Sequence, residues 1–163
     1  MTRNTMIALA AGGSAALLAG AFVFQLLGYA PCPMCLWQRW PHAAAIIIGI
    51  LAVAIPGRFM PALGAIAAAA TGAIGVYHTG VERDWWEGPA SCSGGNGLDG
   101  LSGADLLAVE GPAIVMCDQV AWEFLSLSMA SWNALVSFAL MAVWVTALRL
   151  SAGSKATGSS RTV

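Results

Sequence analysis

Residues 31–40 read PCPMCLWQRW, placing Cys32 and Cys35 at C-x-x-C spacing ahead of Arg39 in an otherwise apolar stretch. Bridging residues three apart restrains little chain, so such a pair serves better as a redox couple than as a staple. Pro31 and Pro33 interrupt the preceding chain and predict a helix beginning at the motif, with Cys35 in its first turn. Unpaired backbone N–H groups and the positive end of the helix dipole there favour the thiolate, the reactive form. Arg39 follows at i+4, on the face of Cys35 and one turn deeper. An ionisable group at a membrane boundary points to function. The plainer role of interfacial anchor suits Trp37 and Trp40 better.

Two further cysteines, Cys92 and Cys117, lie in a long polar stretch. Four cysteines allow three pairings, and spacing favours Cys32 with Cys35 and Cys92 with Cys117. A purely structural Cys92–Cys117 bridge would restrain a long loop and contribute about 3–4 kcal/mol by the chain-entropy model. A structural zinc site would need four converging thiolates from two close-spaced pairs. Only one pair is close-spaced, so no metal is expected. His78 falls level with the start of the Cys32 helix, where it could donate a hydrogen bond to something bound beside Arg39. A histidine satisfied by water or backbone would sit there equally well. His42, at i+3 from Arg39, reads as structural.

These residues must be positioned by membrane-spanning elements. The 163-residue chain is 58% hydrophobic and 9% charged, against about 25% charged for soluble domains, and its mean hydropathy is +0.75. A bilayer span takes roughly 20 apolar residues. Four windows qualify: residues 5–28, 36–55, 60–80 and 132–150. The first exceeds a signal-peptide core and three spans follow it, so it is read as a helix of the mature protein. The expected fold is all-α: one membrane domain over residues 1–163, a four-transmembrane-helix bundle with loops at 29–35 and 81–131 and a polar tail at 151–163. In the long loop, SCSGGNGLDGLSG is glycine-rich and expected to be flexible; its GGNG lacks the Lys-Ser/Thr ending of a phosphate-binding loop. VAWEFLSLSMASW places Trp122, Leu125, Met129 and Trp132 on one helical face and predicts a short interfacial helix. Gly12, Ala16, Gly20 and Gly64, Ala68, Gly72 recur every four residues, as close helix packing in membranes requires.

Lys and Arg in short loops accumulate on the cytoplasmic side. One side of this topology receives Arg3, Arg58, Arg149, Lys155 and Arg161; the other receives Arg39, Arg83 and all eight acidic residues. Both termini are therefore expected in the cytoplasm. All four cysteines then face the oxidising periplasm of a bacterial inner membrane, where disulfides persist. Two disulfides on that face suggest an electron relay, and a lipid-soluble two-electron acceptor beside Arg39 suggests a quinone.

The four spans, the C-x-x-C-LWQR opening of the second, the long loop with its second cysteine pair and the WEFLSLSMASW run together resemble the DsbB family. These membrane oxidases reoxidise the periplasmic thiol oxidase DsbA, at about −120 mV a strong oxidant, and deliver the electrons to quinone. The resemblance implies that a reduced DsbA-like partner attacks the Cys92–Cys117 disulfide and forms a mixed disulfide with Cys92. Cys117 then attacks Cys32, and Cys35 is released as a thiolate that reduces ubiquinone or menaquinone. Arg39 stabilises thiolate and quinone charge, and His78 matches a quinone-side histidine. Nucleic acid is not an expected partner. Three features depart from the family pattern: the Pro-Met dipeptide, Gln38 where an acidic residue often precedes the arginine, and VERDWWEGP before Cys92. A relative dedicated to one special partner, or a membrane scaffold with structural disulfides, are the alternatives.

Overall fold

The computed structural model describes residues 1–92 and 115–158, with side chains through residue 152. Its elements are α1 (Arg3–Leu26), α2 (Pro33–Ala54), α3 (Phe59–Glu82), β1 (Glu123–Phe124), β2 (Leu127–Ser128) and α4 (Met129–Gly158). Four helices are long and apolar enough to cross a membrane, α4 through Ala152. Each packs against two neighbours in the ring α1–α2–α3–α4. The glycine-rich run expected to be flexible lies, from residue 93 onward, outside the described residues.

The helices start and stop where local chemistry dictates. Pro33 is the first residue of α2, a position where its missing N–H costs nothing. The α1 helix ends in a Schellman turn: Gly28 has φ 98°, Tyr29 N–H donates to Phe24 O, and Gly28 N–H donates to Gln25 O. At the opposite end of the bundle, Arg3 donates to Ala52 O at 2.8 Å, Ile55 O at 3.1 Å and Ser151 Oγ at 3.0 Å. That arginine satisfies carbonyls left open at the end of α2 and ties three helices together. The α4 helix runs past Leu150 into the segment expected to be a tail.

The packing corrects one of the two small-residue stripes. In α3, a Cβ at Gly64 would lie 2.5 Å from the Trp144 indole and one at Gly72 3.0 Å from the Phe138 ring, so this stripe is an interface with α4. In α1, Gly12 and Gly20 face open space, whereas Gly13 meets Leu140. A four-residue repeat in so Ala- and Gly-rich a chain does not say which face is covered. Trp144 is fully buried and centres an apolar cluster with Ile7, Ala10, Ala52, Ala68 and Ala147.

A second correction concerns the expected interfacial helix. Residues 123–128 form an antiparallel hairpin with Glu123 opposite Ser128 and Phe124 opposite Leu127. Its two turn residues, Leu125 and Ser126, have φ 53° and 60°, as a type I′ turn requires. Leu-Ser lacks the Asn-Gly signature of such turns, so the apolar spacing mimicked a helix. Tertiary contacts hold the hairpin instead: Trp132 Nε1 donates to Phe124 O at 3.1 Å, and Trp122 stacks on Phe124 and meets Phe24.

Replacing Gly64 by leucine must displace Trp144 and is expected to cost about 1–3 kcal/mol, the usual range for overpacking. Gly20→Leu, facing open space, is expected to change little. Unfolding midpoints of the two variants in the same detergent check the contrast.

Candidate functional site

All four cysteines lie at one end of the bundle. Cys32 is the N-cap of α2: its Sγ accepts from the Cys35 backbone N–H at 3.2 Å. That places Cys35 in the first helical turn, as expected. Cys32 and Cys35 are not bridged, their sulfurs lying 2.8 Å apart, so the disulfide expected between them is not formed in this structure. Cys92 and Cys117 are joined by a disulfide with Cα atoms 5.0 Å apart. Cys32, Met34, Val81, Cys92 and Cys117 form one buried cluster, so the two pairs are packed neighbours. The Cys32 thiol is pushed well above its ordinary range because it hydrogen-bonds to Cys35 and is buried.

Cys35 opens toward a cavity of about 120 Å³ whose wall includes Arg39, Gln38, His42, His78 and Asn133. Arg39 is aimed by α1: its Nη1 donates to Gln25 Oε1 at 2.8 Å, and its guanidinium lies 4.9 Å over the Phe22 ring. Its Nε–H is buried without a partner. Along one side runs an apolar groove of about 420 Å³ lined by Leu17, Phe24, Trp122, Phe124 and Trp132. Ala21, Phe24, Met129 and Asn133 line both spaces.

A polar network behind the cavity joins three helices. Gln38 Nε2 donates to Met34 O at 3.2 Å and to His78 Nδ1 at 2.9 Å, and Gln38 Oε1 accepts from Asn133 Nδ2 at 2.7 Å. Asn133 Nδ2 also donates to Thr71 Oγ1 at 3.1 Å. Asn133 Oδ1 must therefore accept from His42 Nε2–H, 2.9 Å away. That leaves His42 Nδ1 a bare acceptor, buried and unpartnered. His78 reaches the cavity wall as the sequence predicts, but both its nitrogens are engaged: Nδ1 with Gln38, Nε2 with Cys32 Sγ at 3.6 Å.

Sequence reasoning read His42 as structural and did not single out Asn133; the structure places both on the cavity wall. His42 shares the Arg39 face, and Asn133 is a carboxamide in an apolar span; both were visible signals.

Cys32, Cys35 and His78 bring three potential metal-ligand atoms within 4.8 Å of one another. Their geometry does not suit a tetrahedral ion, which at Zn–S distances of about 2.3 Å separates its sulfurs by about 3.8 Å. A ligating Nε2 would moreover require Nδ1–H to face an acceptor, and it faces the Gln38 amide donor.

A four-span bundle carrying a dithiol packed against a disulfide defines a membrane thiol–disulfide oxidoreductase. The family model for "Disulfide bond formation protein DsbB" matches residues 3–147. Proteins named "Disulfide bond formation protein B" are similar along the chain. The one from Xanthomonas oryzae pv. oryzae (strain MAFF 311018) is 35% identical over 162 residues, covering 90% of this chain and 87% of its own. That from Aromatoleum aromaticum is 30% identical over 154 residues, covering 88% and 89%. No solved structure matches the chain. The chain belongs to the DsbB family. It is a multi-pass membrane oxidoreductase of disulfide bond formation.

Asn133→Leu would leave Gln38 Oε1 and His42 Nε2–H without partners. The expected loss is about 1–3 kcal/mol for each stranded group, read as a lowered unfolding midpoint; Thr71→Val, which removes one hydroxyl, should cost less.

Proposed function

We propose that this protein oxidises a periplasmic DsbA-like dithiol partner and delivers the electrons to a membrane quinone, with both termini in the cytoplasm and the cysteine end in the periplasm. The observation that carries this reading is the position of the dithiol. Cys32 is packed against the Cys92–Cys117 disulfide, and Cys35 lines the cavity together with Arg39 and His42.

The exchange steps balance without any external reagent beyond the partner. A partner thiolate attacks Cys92 Sγ, the Cys92–Cys117 bond breaks, and Cys117 departs with the electron pair. The Cys117 thiolate attacks Cys32 Sγ, the Cys32–Cys35 bond breaks, and Cys35 departs as a thiolate beside Arg39. The partner's second thiolate then attacks its own mixed-disulfide sulfur, leaving the partner oxidised and Cys92 free. Cys92 attacks Cys117, the Cys92–Cys117 bond re-forms, and Cys32 is released.

The donor set at the cavity fits a quinone headgroup. A guanidinium on the cavity wall suits a carbonyl oxygen that gains negative charge, and a neutral imidazole on the same wall suits a hydroxyl. The apolar groove continuous with the cavity suits an isoprenoid chain. When bound, a quinone supplies a two-electron, two-proton acceptor; Arg39 and His42 would hold it, with His78 on the same wall. Whether ubiquinone or menaquinone serves, Arg39 orients the acceptor and stabilises charge near Cys35.

Mixing the purified protein with a reduced DsbA-type partner and a ubiquinone analogue should give partner-dependent loss of quinone absorbance. Cys35→Ser should abolish that loss; a fully competent Cys35→Ser protein would mean that the disulfides are structural. Arg39→Gln should raise the quinone concentration for half-maximal rate by about tenfold, the scale of one lost charge-assisted hydrogen bond. Formation of the partner mixed disulfide should be unchanged.

A further inference from the structure

His78 Nδ1 faces the Gln38 carboxamide. The orientation of that amide is fixed twice: its nitrogen meets Met34 O at 3.2 Å, and its oxygen meets Asn133 Nδ2 at 2.7 Å. Turning the amide over would set its oxygen against the Met34 carbonyl. The group presented to His78 Nδ1 is therefore an N–H donor, and Nδ1 must carry the lone pair. The ring proton then sits on Nε2, where each neighbouring group is able to accept it. Cys32 Sγ lies 3.6 Å away, Glu82 Oε1 3.8 Å away, and the Cys117 backbone also faces the ring. Glu82 is itself held by a hydrogen bond from Ser128 Oγ.

We propose that Gln38 is a positioning residue that locks His78 in the Nε2–H tautomer, so that the imidazole donates to Cys32 Sγ and stabilises Cys32 as a departing thiolate. The step concerned is the last exchange above and rests on that reading. The Cys92 thiolate attacks Cys117 Sγ, the Cys92–Cys117 bond forms, the Cys32–Cys117 bond breaks, and the electron pair leaves on Cys32 with no proton transferred. Cys32 is the sulfur that needs such help, since burial disfavours its charge. The Cys35 backbone N–H supplies one donor and His78 the other. An acidic side chain at position 38 would accept from Nδ1–H and turn a bare Nε2 toward the sulfur. This chain, with its carboxamide, presents the opposite polarity.

The chain has two histidines, so ring ¹⁵N signals of histidine-labelled protein can be assigned with a His42→Gln variant. His78 is expected to be protonated at Nε2 and bare at Nδ1; protonation at Nδ1 in the wild-type protein overturns the proposal. As a second measurement, the protein is mixed with reduced partner, quenched in acid and alkylated, and the decay of the Cys32–Cys117 disulfide is followed. Gln38→Met should slow that decay about tenfold, the scale of a lost hydrogen bond to a charged group. Decay at the wild-type rate overturns the proposal. If the Cys32–Cys117 species never forms in wild-type protein, the electron route itself fails, while the ring signals still report the tautomer.

Discussion

A carboxamide inside an apolar bundle must satisfy its hydrogen bonds within the protein, because hydrocarbon offers none. Gln38 does so on three sides at once: the turn before it in α2, His78 on α3 and Asn133 on α4. Each bond constrains a group that another depends on. Asn133, with its nitrogen committed to Gln38 and Thr71, turns its oxygen to His42. The cluster thereby registers three helices against one another at the level of the dithiol. The small residues of α3 let α4 come close enough for these bonds to form. Buried networks of this kind are stabilising only when nearly complete, and of its members only His42 keeps a buried nitrogen, Nδ1, with no partner among the described residues.

The two sulfurs of the dithiol have different surroundings. The Cys32 sulfur belongs to the buried side, with its N-cap hydrogen bond, His78 and the second disulfide. The Cys35 sulfur, three residues on, borders the cavity and the Arg39 face. One turn of helix therefore separates a sulfur buried against the second disulfide from one that borders the cavity. Phe124 of the hairpin, with Trp122 and Trp132 beside it, walls the adjoining apolar groove.

Much of this was legible in the chain. Apolar runs of about 20 residues with at most one arginine each identified the spans, since crossing a bilayer as a helix takes about that length of apolar chain. Prolines before the motif placed the start of α2, and i+4 spacing put Arg39 beneath Cys35. The hairpin was not legible, because Leu125 and Ser126 adopt positive φ against their own preference, while the flanking Phe124 and Trp122 are held by Trp132 and Phe24. Nor was the contrast between the two glycine stripes, since local spacing is the same in both. His42 and His78 were ranked by position alone, and position could not reveal which imidazole nitrogens are already engaged.

The sequence by itself determined that the chain crosses a membrane four times, that a redox-capable pair opens the second span, and that a cation follows it on the same face. Those properties rest on composition and on the helical period, which act within one segment. Only the tertiary structure gave the hydrogen-bond partners of His42, His78 and Gln38. A tautomer or an unfilled hydrogen bond is set by partners on other helices, and no single segment carries that information.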